Sequence, residues 1–544
     1  MKSDTGENSP CVFFFTRIHN TDIVLHCVKK ILKGFIMLKD KQGRIDWPVF
    51  AISGGALLLF VLFAIIDISS ITEFVNTGFA WSAKYFGAFW QFLMLATFIV
   101  GLYLAFSKYG NVRMGNLDKP ELGLYKWLSI IMATLLAGGG VFWAAAEPIT
   151  HFLTVPPSQG GIEAGTEAAI APALAQSYMH WGFLAWAILG TVSAVVMMYG
   201  HYQKGMPLKP RTLLYPIFGE KIRTGWFATI VDAFSVIAVA AGTIGPIGFL
   251  GTQASYGLQT IFGIPDTYVS QLSVIAAVIF ISTISAVTGL YKGIQRLSNF
   301  NVRLAMGLIV FVLIFGPGLF IINQYLAGFG HYVQEFVSMA TYRGDTEWLS
   351  WWTVFFWGWF IGYGPMMAIL VSRISRGRTI RQIILAISIL APVVSAFWFT
   401  VLGGSGIYFE LQNPGVISEP LNNSGNAAAM FAITEQFPLA SIISPLFLVL
   451  TILFVVTTSD SMSYTIAMAV TGEGNPKAWV RVFWSVLMGT VASILLLIGN
   501  GGVGALQNFI VVTAVPVSIL LLPVLWLGPR VAKEMAIKQG IINK

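Results

Sequence analysis

The sequence predicts an all-α membrane protein of twelve transmembrane helices, and three observations lead there. Hydrophobic residues make up 56% of the 544 and charged residues only 10%, against roughly 45–50% and about 25% in an ordinary soluble domain. Apolar stretches approaching or exceeding the roughly 20 residues that a helix needs to cross the hydrocarbon core recur along the chain. They lie near 48–67, 83–107, 127–146, 173–199, 225–258, 269–290, 304–326, 348–371, 382–404, 438–470, 478–499 and 504–527. Finally, the basic residues fall on every second loop between them, as a fixed orientation in a bilayer requires.

Residues 1–44 are expected to be a disordered cytoplasmic segment outside the fold. The run from Cys11 to Phe15 is shorter than the roughly 7–15 residues of a signal-peptide core, and Arg17 and His19 follow it, so no cleaved signal is expected. Met37 offers a second start, which makes residues 1–36 dispensable on this reading. Both cysteines, Cys11 and Cys27, fall here, so neither a disulfide framework nor a cysteine metal site can be built in the apolar body. The twelve spans occupy 45–528, and 529–544 form a short cytoplasmic tail. Spans five and ten are longer than a crossing needs, which points to tilt or to helices that run past the membrane.

Lys and Arg number 8 before the first span, then 4, 5, 3, 4 and 2 on alternate loops, and 4 after the last span. Thus 30 of the 32 share one side, and only Lys84 and Arg343 face the other. Positive charge marks the cytoplasmic face, so an even number of spans leaves both termini there, in a plasma membrane protein surrounded by lipid. The net charge of +8 therefore reports orientation and gives no support to a nucleic-acid partner. The outward loops are acidic or neutral, the longest running from Gly404 to Phe437, and His331 to Tyr342 is expected as a short surface helix.

Span three carries Gly138-Gly139-Gly140 at mid-depth, ahead of Glu147 and Pro148. Span five carries Gly242, Gly245, Pro246, Gly248 and Gly251, and span eight Gly358, Gly362, Gly364 and Pro365. Such clusters serve either close helix packing or local unwinding, which frees carbonyls to bind a cation or polar solute. Spans three and eight are five apart, the separation of two inverted five-helix repeats, spans 3–7 and 8–12; this favours unwinding in that pair. Trp352, Phe356, Trp359, Phe360 and Tyr363 share one face of span eight. Converging aromatic faces make a cage for a diffuse cation, each contact contributing about 0.5–2 kcal/mol. Trp181 and Trp186 in span four stand about 140° apart on a helix, where either packing or a shared cavity would suit them.

Span ten ends in Thr457-Thr458-Ser459-Asp460-Ser461, behind Phe454. Its hydroxyls either ligate a hard cation or bond back to their own helix. Asp232 and Asp460 are the acids well inside spans, suited to a gate pair, a cap or ion coupling. Glu147 and His151 are four apart, but no second ligand pair of metalloprotease type, nucleophile elbow or phosphate loop accompanies them, so no enzyme is expected.

In the segments FWAAAEP (142–148), HWGFLAW (180–186), GLYKGIQRLSNFN (289–301), SRISRGRTIRQ (372–382) and TTSDS (457–461) the chain resembles the betaine/carnitine/choline transporter family. The resemblance covers nearly all of the chain after residue 45. It implies a leucine-transporter-like fold of two inverted repeats with two helices in front, alternating access around a midplane site, and a homotrimer. It also implies an aromatic box for a trimethylammonium group, here Trp181, Trp186, Trp359, Phe360 and Tyr363. The sequence departs from the betaine carriers at Leu189, where a Tyr is expected, and at Phe360 and Tyr363, where Trp is expected.

For the coupling ion the resemblance implies sodium, held by the carbonyls of Ala133, Leu136 and Phe454 and the hydroxyls of Thr457 and Thr458. A second family site uses two span-five threonines, of which only Thr243 remains, with Val239 at the other position. The expected protein is a secondary transporter that imports a small quaternary ammonium or zwitterionic compatible solute with sodium. The alternatives are a cation-independent exchanger, or a carrier of a sulfonium compound or of a zwitterion such as taurine.

Overall fold

The computed structural model describes residues 45–136, 139–288, 291–471 and 476–543. The N-terminal segment expected over 1–44 lies outside the described residues, as do Gly138 and Gly289 of the segments above. Among the described residues there is no strand, and eleven helical segments are long and apolar enough to cross a membrane. The remaining span is the third, which is cut in two. The fold is thus all-helical and matches a twelve-span membrane protein.

The elements are α1 Trp47–Ile66, α2 Ile68–Phe106, α3 Leu124–Leu136, α4 Gly140–Leu153, α5 Ile170–Trp181, α6 Phe183–Ile188 and α7 Val192–Met198. There follow α8 Trp226–Phe262, α9 Tyr268–Thr288, α10 Tyr291–Phe315, α11 Gly318–Gln334, α12 Phe336–Thr341 and α13 Phe355–Ile374. The chain closes with α14 Ile380–Leu385, α15 Ala391–Phe399, α16 Ser405–Gln412, α17 Ala440–Thr471, α18 Ala478–Ile498, α19 Gly504–Leu521 and α20 Val524–Lys538. Asp67 separates α1 from α2 and caps the latter by accepting the N–H groups of Ser69 and Ser70. Behind it α2 runs for 39 residues, well beyond the expected 83–107. The tail expected from residue 529 continues as helix to Lys538.

Span three is interrupted at Gly139, the turn residue ahead of α4. α3 and α4 have 13 and 14 residues, each about 20 Å long and too short to cross alone. Span four is broken too, at Gly182 and at Gly190, whose φ of +132° suits only glycine. Spans five and eight do not unwind: α8 and α13 run unbroken through their glycines and prolines. There the neighbours use the missing side chain. A Cβ on Gly245 would meet Ile510, one on Gly248 Leu506, one on Gly358 Trp90 and one on Gly364 Leu521. Packing is therefore the role of those two clusters, and α8, α13, α17 and α19 form the centre of the molecule.

Span seven, expected over 304–326, ends at Phe315. Pro317 has no N–H to continue the helix, and a Cβ on Gly318 would lie 1.9 Å from the carbonyl oxygen of Leu313. The chain restarts as α11, which packs along α5, so the surface helix expected over 331–342 begins earlier and is divided at Glu335.

The basic loops meet at one end of the molecule. Met114 N–H donates to Arg378 O, Gly377 N–H to Met114 O, Ile380 N–H to Val112 O and Glu121 N–H to Arg376 O, joining the loop after α2 to the loop after α13. Gln539 pairs with the main chain of Arg113 in both directions. Arg343 donates to Gln91 and lies beside Gly87, both in α2, the helix that also holds Lys84. Both intramembrane aspartates are paired. Asp232 accepts from Arg211 at 2.7 Å, and Arg211 and Lys209 also hold Asp46. Asp460 accepts from Arg481 and from Ser285, each at 2.9 Å.

Candidate solute and ion site

The break between α3 and α4 brings main chain against aromatic rings. A Cβ placed on Gly139 would lie 2.1 Å from Cη2 of Trp359 and 3.0 Å from Cη2 of Trp181. Only glycine lets the backbone approach the two indoles this closely. Trp181 stands edge-on to Trp359 at 5.8 Å and 83°, and to Phe360 at 5.3 Å and 87°. Trp359 and Phe360 lie nearly parallel, at 10°. Phe356 and Phe399 also contact Trp181, at 5.5 and 5.2 Å.

The two indoles are fixed by their polar edges. Trp359 donates its indole N–H to the carbonyl of Gly242 at 3.0 Å, and Trp181 donates to Glu147 at 2.9 Å. The ring of Tyr363 also fills the space over Gly242, and its hydroxyl pairs with Thr243 at 3.1 Å. Trp181, Trp359 and Phe360 thus meet directly, and Tyr363 joins them through Gly242. Trp186 stands apart: it donates to Ser395 and, among the described residues, makes no ring contact with the other four.

The oxygens expected around an ion are distributed as follows. Ala133 and Leu136 belong to the last described turn of α3. Phe454, Thr457 and Thr458 lie in α17. Thr457 donates back to Leu453 and Phe454 of its own helix, at 2.8 and 3.1 Å. The Thr458 hydroxyl is buried and, among the described residues, has no hydrogen-bond partner, which a buried polar atom seldom lacks. That orphan is the kind of oxygen a hard cation takes as a ligand. Thr243 donates to Val239 and pairs with Tyr363, so its hydroxyl is already engaged.

The family profile described as "BCCT, betaine/carnitine/choline family transporter" matches residues 48–537. The chain belongs to this family. It is 57% identical to glycine betaine transporter 2 of Vibrio parahaemolyticus over 92% of this chain and 93% of that one. It is 33% identical to the glycine betaine transporter OpuD of Bacillus subtilis, over 89% and 93%. It is 31% identical to the ectoine/hydroxyectoine transporter of Virgibacillus pantothenticus, over 88% and 95%. As a betaine/carnitine/choline family protein it is a multi-span membrane transporter of small solutes and not an enzyme.

Within this family transporter the structure adds residues that the sequence passed over. Phe399 reaches Trp181 from span nine, and no local pattern in span nine points to it. Glu147 and His151 are joined by His180, so that one ligand atom from each lies within 4.8 Å of the others. His180 is 33 residues from Glu147, a separation no spacing rule reads. Hydrogen bonds already engage both Glu147 oxygens and both His180 nitrogens, and His151 Nε2 lies 3.3 Å from the Glu147 oxygen that faces His180. A polar network explains the cluster better than a metal centre does.

Proposed function

We propose that the protein is a secondary carrier that imports a solute of the glycine betaine type, coupled to sodium, by alternating access, with both termini in the cytoplasm. The observation that carries this reading is the convergence of Trp181, Trp359 and Phe360 on the main chain of Gly139. Indole and phenyl faces attract a quaternary ammonium through their quadrupole. Two relatives whose names specify glycine betaine support the solute class. The Ala133, Leu136 and Phe454 carbonyls and the Thr457 and Thr458 hydroxyls are the groups that would hold sodium, and an inward sodium gradient would then drive accumulation. The relative named for ectoine, with Leu189 and Phe360 here in place of larger aromatics, supports a zwitterion with a more delocalised cation as a second solute.

Uptake of labelled glycine betaine into proteoliposomes tests the proposal. Accumulation against a gradient is expected with sodium outside and not with potassium alone. Equal accumulation in both salts would refute sodium coupling. Uptake only against internal solute would indicate an exchanger.

A further inference from the structure

We propose that Glu147 is a positioning residue that sets the site's affinity for a cationic solute by acting through the indole of Trp181; this rests on the betaine reading above. Glu147 and His180 are completely buried and Trp181 is 4% exposed. One carboxylate oxygen lies 2.5 Å from His180 Nδ1, and the other accepts the Trp181 N–H at 2.9 Å. The far nitrogen of His180 lies 3.0 Å from the amide nitrogen of Gln176 and 3.0 Å from the Thr353 hydroxyl. Ser158 Oγ lies 3.3 Å from the oxygen of that amide. An amide nitrogen only donates. With the Gln176 amide nitrogen as donor, Nε2 of His180 accepts, its proton sits on Nδ1, and Glu147 accepts at both oxygens.

That role needs a carboxylate. A glutamine offers one acceptor and one donor, so one of the two N–H groups would face another N–H. The arrangement also has an electronic effect. An acceptor on the N–H edge of an indole polarises the ring and makes its face more attractive to a cation. Glu147 thus acts from behind the ring while the solute's cationic group meets the front. A chain of side chains from Ser158 in the loop after α4, through Gln176 and His180, holds the carboxylate in place.

The test is a double-mutant cycle on uptake of labelled glycine betaine in proteoliposomes, with KM and Vmax measured separately. Glu147→Gln and Trp181→Phe, which keeps a ring but loses the N–H, are each expected to raise KM about tenfold, as loss of a hydrogen bond to a charged group would. The double variant is expected to stay within about twofold of the worse single one, because both remove the same interaction. An unchanged KM in Glu147→Gln, or a double variant with the product of the two effects, about a hundredfold, would overturn the proposal. If Glu147→Gln does not reach the membrane, Gln176→Leu replaces it. It should raise KM about threefold in the wild-type background and not in Trp181→Phe, and an unchanged KM would again overturn the proposal. If the wild type accumulates no betaine under either salt, the functional reading itself has failed. Accumulation by the wild type with multiplicative variants defeats this inference alone.

Discussion

Replacing Gly139 with alanine asks whether the break in span three serves the solute box. The backbone there is in the ordinary helical region, φ −106° and ψ −22°, so alanine carries no conformational penalty. Space is what the substitution takes. The new methyl would lie 2.1 and 2.9 Å from Cη2 and Cζ3 of Trp359 and 3.0 Å from Cη2 of Trp181, whereas carbon atoms pack at about 3.5–4.0 Å. Trp359 must retreat by more than an ångström, away from its bond to Gly242 O. A forced fit costs about 1–3 kcal/mol, and a displaced ring forfeits about 0.5–2 kcal/mol of cation attraction. A loss near 2 kcal/mol corresponds to roughly a thirtyfold rise in the KM for betaine. The assay is uptake kinetics at matched membrane abundance, with Gly55→Ala as control, since a Cβ at Gly55 meets nothing within 4 Å. A wild-type KM in Gly139→Ala would refute the placement of the box at this break.

Thr458→Ala should raise the sodium concentration for half-maximal uptake more than Thr457→Ala does, because only the Thr458 hydroxyl lacks a protein partner; equal effects would argue against a ligand role for Thr458. Arg481→Met leaves Asp460 buried with only Ser285 of its two partners and should destabilise the protein by about 3–5 kcal/mol, read as a lower unfolding temperature in detergent. Burial raises the Asp46 carboxyl, but the hydrogen bond from Lys209 and the charges of Lys209 and Arg211 outweigh it and leave its pKa below the ordinary 3.8. A depressed pKa contributes stability that is full above about pH 4 and is lost as pH falls through the folded-state value. Thermal unfolding followed from pH 6 to pH 3 should therefore show a steeper decline in the wild type than in Asp46→Asn.

The spans were legible because composition and charge alternation act over whole segments, and both are additive along the chain. The interruption of span three was legible as well: Gly139, within the glycine run, stands in the turn ahead of α4. What glycine does elsewhere depends on who faces it. Gly245 and Gly248 look like unwinding signals in isolation, but Ile510 and Leu506, more than 250 residues away, fill the space beside them. Span seven was read too long because hydropathy passes smoothly over Gly316-Pro317-Gly318, although that triplet is a breaker by its turn chemistry. In the site, Trp359 and Phe360 announced themselves as an aromatic face, and the resemblance supplied Trp181. The burial of Glu147 and its ties to His180 and Trp181 were not visible, since they join spans that meet only in the folded chain.

The four main-chain hydrogen bonds between the loop after α2 and the loop after α13 bear on how a passage opens. α3 leaves this clasp and α13 enters it, so the helix that leads to Gly139 and the helix that carries Trp359 stand on a common footing. Each such bond is worth roughly 0.5–1.5 kcal/mol, and pulling the loops apart would forfeit all four. The loop that feeds α3 and the loop that leaves α13 are therefore held together at this end of the molecule, and any movement of one of these helices at its base draws on the other.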